Sequence, residues 1–215
     1  RSNPVTETNN KLYWQNLQDG NHIYSIAISP GNYTPTTLKS EIERQVNQVV
    51  RINSDFELNN NEIRYIPEHI INVSIDTTSY KVAFKFYKRV ILYRPLQDVI
   101  KDTNDNLNYN HKMKIHHPSH SLSVGDKIII SNAARSHLVP SQAINNQELE
   151  IMQVLDVDNY LVKLPVYSIV TTDRNIVNGG DSVVMVIPTK TRLLFNYNDT
   201  FGANLGFRDV GKEHA

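Results

Sequence analysis

The chain has no cysteine, which excludes disulfides, thiolate nucleophiles, cysteine-ligated zinc and iron–sulfur clusters. It has no excess charge of either sign. The 22 basic and 22 acidic residues cancel, so a large single-sign field for nucleic acid or an anionic membrane is not expected. No apolar run approaches the roughly 18 residues of a spanning helix, and membrane insertion is not expected either. The start, Arg1-Ser2-Asn3-Pro4, shows neither an initiator methionine nor a signal-like apolar region, as a fragment or processed product would. G-x-S-x-G, Walker, G-x-G-x-x-G and H-E-x-x-H patterns are all missing, and with them the usual cradles of acyl transfer, nucleotide, dinucleotide and zinc-protease chemistry.

What is present suits a folded chain of one large or two small domains: 215 residues, 40% hydrophobic and 20% charged. The 25 asparagines are an excess that AT-rich codons account for. The three N-x-S/T sequons, at Asn32, Asn72 and Asn198, are about what this composition yields by chance.

Alternation with period two dominates and argues for strands. It places Tyr24, Ile26 and Ile28 on one face, and it recurs at Ile71–Ile75, Val82–Phe86, Val183–Ile187 and Leu193–Asn198. One helix interrupts it. Thr34 is a capping residue, Pro35 suits the first helical position, and Leu38, Ile42, Val46 and Val49 recur every three to four residues, predicting an amphipathic helix over 35–50. Asn178-Gly179-Gly180-Asp181 reads as a tight hairpin.

The composition changes after Pro95, and residues 97–110 read as an Asp- and Asn-rich loop. Short strand signals then crowd together up to Leu164. The expected fold is therefore mainly β: a discontinuous outer domain over 20–100 completed by 171–215, and a small β-barrel or sandwich inserted at 113–170. Residues 1–19 form an arm or an edge strand. A single jelly-roll sandwich is the alternative architecture.

Few clusters carry chemistry. His111, His116, His117 and His120 are the densest histidines. The metal candidates are His116, His117 and His120, but no carboxylate stands at ligand spacing and Pro118 interrupts any helix. Asp156-x-Asp158-x-Tyr160 starts like a calcium loop and lacks its central glycine and closing glutamate. Lys81, Lys85, Lys88, Arg89 and Arg94 interleave with Phe84, Phe86, Tyr87 and Tyr93. That pattern suits single-stranded nucleic acid, yet half-burial of one strand already explains it.

Two further stretches stand apart, Y-S-I-A-I-S-P-G-N-Y-T-P-T-T-L over Tyr24–Leu38 and D-T-F-G-A-N-L-G-F-R-D-V-G over Asp199–Gly211. Together they resemble virion-associated proteins of the nucleocytoplasmic large DNA viruses, in which a P-G-x-Y element near the start is answered by L-G-F near the end. The stretch His120–Leu164 is similar to small β modules of viral and phage structural proteins. The resemblance implies a minor capsid, vertex or fibre-associated component located in the virion. Other capsid or virion proteins would be its partners, in an oligomer or a large assembly, with no catalytic residue, cofactor or bound nucleic acid. Pro30, Gly31, Tyr33, Phe201, Gly202, Leu205, Gly206 and Phe207 are its structural motif residues, read physically as devices that close the outer domain. Two other functions fit the sequence: a glycan-binding attachment module using Trp14 and exposed tyrosines, and a carboxylate-based hydrolase.

Overall fold

A computed structural model describes residues 4–52, 61–76, 78, 81–100, 112–136, 139–165, 179–205 and 213–214. The strands are β1 (Lys11–Asn16), β2 (Tyr24–Ala27), β3 (Ile63–Tyr65), β4 (Ile70–Ile75), β5 (Val82–Tyr93), β6 (Leu96–Ile100) and β7 (Lys112–His116). They continue as β8 (Lys127–Ser131), β9 (Glu148–Val154), β10 (Asn159–Lys163), β11 (Ser182–Pro188), β12 (Thr191–Leu194) and β13 (Glu213–His214), with one α-helix among the described residues, α1 (Pro35–Val46). The protein is mainly β, and it divides into two compact units. Unit one is Arg1–Ser54, Pro67–Lys88 and Thr189–Ala215; unit two is Asp55–Ile66 and Arg89–Pro188. Each has its own hydrophobic core, unlike the one core of a single jelly roll.

In unit one, β1 alternates strictly, burying Leu12, Trp14 and Asn16 and turning Lys11, Tyr13 and Gln15 outward. It lies between β2 (Leu12 opposite Ile26, Trp14 opposite Tyr24) and β12 (Trp14 opposite Leu193), in the order β13-β12-β1-β2. The expectation of an arm or edge strand over 1–19 is corrected here: Leu12 and Trp14 are fully buried, and β1 is internal to its sheet.

Helix α1 starts where the capping residue predicts. Thr34 Oγ1 accepts from the Thr37 amide at 3.2 Å and the Thr34 amide donates to Thr37 Oγ1 at 2.9 Å, a reciprocal box. The helix stops at Val46, short of the predicted 50, because Gln48 and Val49 donate to the carbonyls of Gln45 and Val46 in a tighter turn. Ile42 and Val46 are buried. The helix also covers strand β4. The Val73 amide donates to Glu43 Oε1 at 2.8 Å and the Ile71 amide to Asn47 Oδ1 at 3.3 Å, so helix side chains satisfy amides that a bare sheet edge would leave open.

Unit two is one long antiparallel path, in which β5 neighbours β11 and the order continues β8-β9-β10-β7-β6. Here the expected boundaries shift. Residues 182–188, assigned from sequence to the outer domain, pair with β8 (Met185 opposite Ile130). Their buried Val183, Met185 and Ile187 belong to the same core as Ile128 and Ile130. The composition change after Pro95 is therefore not a border: residues 97–100, expected in a loop, belong to strand β6, and 101–110 lie outside the described residues. Only Arg94 and Pro95 separate β5 from β6, so the strand path returns to the stretch of chain it set out from. Arg94 takes φ 50° at this bend and donates to the Asp181 carbonyl at 3.1 Å. Gly179 beside it has φ 73°, and a methyl there would run into the Leu96 side chain. The predicted hairpin's first arm, Ile176-Val177, lies outside the described residues.

The basic and aromatic stretch behaves as half-burial predicts: Phe86 is buried, Val82 and Phe84 pack against the core of unit one, and Ala83 and Lys85 are exposed. Lys88 departs from it and is buried. Among the described residues no helix is long and apolar enough to cross a membrane.

Ile42 gives the helix assignment a direct check. Ile42→Asp puts an unpartnered carboxylate in the core of unit one and should cost about 3 kcal/mol or more, read as a lower urea midpoint; an unchanged midpoint would contradict the packing.

Candidate functional site

The densest meeting of polar side chains lies inside unit one, and it begins with a break in the pattern of β1. After Leu12 and Trp14 the next inward position is Asn16, whose amide is therefore buried at 1% exposure. The tight turn Leu17–Asp19 follows, carrying Asp19 back beneath the strand. Arg51, in the segment after α1, meets it with Nε 2.8 Å from Oδ2 and a terminal nitrogen on Oδ1. Both side chains are removed from water, at 2% and 0% exposure.

The remaining partners use both donors and one acceptor position of the Asn16 amide. Its nitrogen donates to Asp19 Oδ2 at 2.8 Å and to His69 Nε2 at 3.0 Å, while its oxygen accepts from Thr191 Oγ1 at 2.9 Å. His69 then donates from Nδ1 to the Val49 carbonyl at 3.0 Å, which makes it the neutral Nδ1–H tautomer. The Tyr24 hydroxyl accepts from the Ile52 amide at 3.0 Å and sits 2.8 Å from Asp19 Oδ2 and 2.7 Å from the Ile52 carbonyl. Aromatic edges seal the group: His69 lies 4.4 Å from the Tyr24 ring and 5.3 Å from Trp14.

Burial opposes the charge on Asp19, but the hydrogen bonds and charge of Arg51, with Asn16 and Tyr24, outweigh it and hold the carboxyl below its usual range. Burial pushes the Tyr24 phenol up and the His69 imidazole down. Both stay neutral around pH 7. This is a framework of satisfied groups joining β1, β2, β12, the segment after α1 and the start of β4.

The motif residues chosen from sequence form a second framework. Val5 and Gly31 exchange two backbone hydrogen bonds, at 3.1 and 3.0 Å, and the Tyr33 hydroxyl donates to the Ser29 carbonyl at 2.8 Å, with Pro30 exposed at the turn. At the other end the Lys11 amide donates to the Asp199 carbonyl and the Phe201 amide to the Lys11 carbonyl, each at 3.0 Å. Phe201 is fully buried, Gly202 approaches the Phe195 ring too closely for a Cβ, and Leu205 packs on the core. The opening and closing elements thus both bind the stretch Val5–Lys11. Gly206 and Phe207 lie outside the described residues.

Of the histidines, His117 and His120 come together, with ring centroids 6.0 Å apart and both against the Tyr160 ring. His120 accepts from the Leu122 amide at Nδ1, 2.9 Å, and so donates from Nε2 to the Asp156 carbonyl at 3.0 Å, leaving no lone pair for a metal. His117 is fully buried with Nδ1 3.4 Å from the Tyr160 hydroxyl, and His116 reaches Asn159 at 3.3 Å. Among the described residues no group of three or more His, Asp or Glu could hold a metal ion; His111 lies outside them. Asp156 and Asp158 cap turns, accepting from the amides of Asp158 and Ser119.

Trp14, the sequence candidate for a glycan platform, is corrected: it is fully buried. The half-buried aromatic pair nearby is Tyr13 and Tyr197, with ring centroids 4.3 Å apart. Asp199 joins it, accepting from the Tyr13 hydroxyl at 3.2 Å and pairing with Lys11 at 2.7 Å. Sequence reasoning missed Asn16, Asp19, Arg51 and His69. The one available signal was Asn16, a polar residue at an inward position of a strict alternation.

No protein-family model and no curated protein matches the chain. Among solved structures it is similar to phage phi92 endosialidase at 14% identity and a TM-score of 0.31, over 81% of this chain and 23% of that one. A likeness at that score carries no weight for function.

Removing one member of the buried ion pair tests the framework. Arg51→Met should cost about 3–5 kcal/mol, because Asp19 is left charged and uncompensated. Since the Asp19 carboxyl is lowered, its contribution is present above the ordinary carboxylate range near pH 3.8 and is lost as pH falls through the folded value. Urea midpoints of the wild type and the variant should therefore converge toward acid pH, and a constant difference would oppose this account.

Proposed function

We propose that the chain is a structural component of a large DNA virus particle, a minor capsid, vertex or fibre-associated protein that acts by protein–protein assembly. The observation that carries the reading is the joint use of the two motifs. The P-G-x-Y element and the closing D-T-F-G-A-N-L stretch bind one N-terminal stretch, through Val5 and Lys11, so a pairing known here only as a sequence resemblance has a physical task. Strand β2 ends its four-stranded sheet among the described residues, the position at which a strand from a neighbouring capsid protein adds. A carboxylate-based hydrolase has less support, because Asp19, the carboxylate of the network, is committed to Arg51, Asn16 and Tyr24. Neither a cofactor nor nucleic acid is part of this reading. Native mass spectrometry and cross-linking of particles purified from the source organism test it. The chain should be found in the particle, cross-linked to capsid proteins; a free monomer absent from particles would sink the proposal.

A second reading, glycan attachment, is favoured by the Tyr13–Tyr197 pair beside Asp199 and Lys11. Ring faces meet the C–H face of a sugar, and a carboxylate and an ammonium meet its hydroxyls. A glycan array should then show a ligand for the wild type that Tyr197→Ala weakens about tenfold or more, roughly 1.4 kcal/mol, with the fold unchanged. An array with no ligand, or one that Tyr197→Ala leaves intact, rejects this reading.

A further inference from the structure

We propose that His69 is a pH-sensitive latch that holds β1 to the segment after α1 and lets go when its ring is protonated. The latch goes beyond the assembly reading and stands independently of it. His69 is 3% exposed and spans two elements: Nδ1 donates to the Val49 carbonyl at 3.0 Å, and Nε2 accepts from Asn16 Nδ2 at 3.0 Å. The proton of an imidazolium would land on Nε2, the atom whose lone pair already receives the Asn16 amide. Donor would then face donor.

The usual escape is for the asparagine to turn its amide over, and here it is closed. Turning Asn16 would offer Oδ1 to the new N–H, but the same oxygen would then face the Asp19 carboxylate, which now accepts from Nδ2 at 2.8 Å. Asp19 in turn is fixed by Arg51 and approached by the Tyr24 hydroxyl. The imidazolium must therefore leave its place or lose its tie to β1. The segment loosened is Val49–Ile52, in which Val50 and Ile52 are exposed at 65% and 59% and whose remaining ties to this network are the Arg51–Asp19 pair and the Tyr24 hydroxyl.

The charged and titratable surroundings are mixed. From the turn comes Asp19, from the segment after α1 comes Arg51, and from β2 and the residues before it come Tyr24 and His22. Glu68 precedes His69 in the chain, and β5 contributes the buried Lys88, two residues from Phe86 on the face that meets Trp14. Burial lowers the ring's proton affinity most. The Val49 carbonyl raises it, Arg51 lowers it, Asp19 raises it and His22 lowers it, with a net lowering. The unfolded chain thus takes up the proton first. The latch contributes stability above about pH 6.5, the ordinary histidine value, and that contribution is lost as pH falls below it.

Hydrogen exchange of the whole chain at about pH 7.5 and about pH 5, corrected for intrinsic rates, tests the latch. Protection in Lys11–Asn16 and Val49–Ile52 should fall about tenfold or more at the lower pH. His69→Gln keeps an amide donor for Val49 and an acceptor for Asn16 without titrating, so it should keep its protection at both. Full protection of the wild type at low pH, or an equal loss in His69→Gln, would overturn the proposal. Should the variant fail to fold, NMR titration of the wild-type ring decides. A ring that stays neutral below its ordinary value, with the Asn16 side-chain signals shifting as it charges, supports the latch; an unperturbed titration with static Asn16 signals refutes it.

Discussion

Unit one depends on an ion pair that has left water. Removing a carboxylate and a guanidinium from solvent costs several kcal/mol per ion, and their attraction offsets this only when geometry is good and the remaining lone pairs are satisfied. Asp19 and Arg51 meet both conditions: the guanidinium spans both carboxylate oxygens, and Asn16 and Tyr24 approach Oδ2 as well. Through Asn16 the network reaches four parts of the chain, at residues 16–24, 49–52, 69 and 191. The pair therefore acts less as a source of net stability than as a register device, since a strand shifted by one residue would turn Asn16 outward and leave Asp19 facing apolar side chains.

This explains why a polar residue occupies the third inward position of β1. An apolar side chain at Asn16 would continue the pattern of Leu12 and Trp14, but it would leave His69 Nε2 and Thr191 Oγ1 without their present partner. Buried polar groups are costly singly and specific collectively. The same logic runs through α1, where half-buried Glu43, and Asn47 just past the last turn, serve β4 amides. In each case the sequence departs from the apolar pattern where backbone or side-chain donors need an acceptor.

Local chemistry made much of the fold legible. The alternations of β2, β4, β5 and β11, the Thr34 cap and the positive φ at Gly179 and Gly180 follow from side-chain period, capping and sterics, which act within a few residues. Non-local pairings were not legible. Residues 183–187 read as a strand, yet nothing near them says that β8 is their partner, and the domain limits moved accordingly. The site was harder still, because Asn16, Asp19, Arg51 and His69 are ordinary surface residue types separated by up to half a hundred positions. Trp14 shows the opposite failure: a lone tryptophan near a terminus suggests an exposed platform, while its partners in sequence, Leu12 and Asn16, place it inside.

The two frameworks of unit one have a common anchor, which bears on how the protein would act. Val5 and Lys11 take the opening and closing motifs through backbone hydrogen bonds, and Asn16, at the end of the same strand, takes the polar network through its side chain. The short stretch from Val5 to Asn16 thereby carries both the closure of the unit and its most demanding polar contacts. Loosening at Asn16 is therefore felt along β1 toward the motif residues, because a paired strand freed at one end frays along its ladder. The motifs tie the N-terminal end of β1 and the network ties its C-terminal end, so loss of the network alone leaves the strand held at Lys11, and a limited opening of the Asn16 end requires less than unfolding of the whole unit.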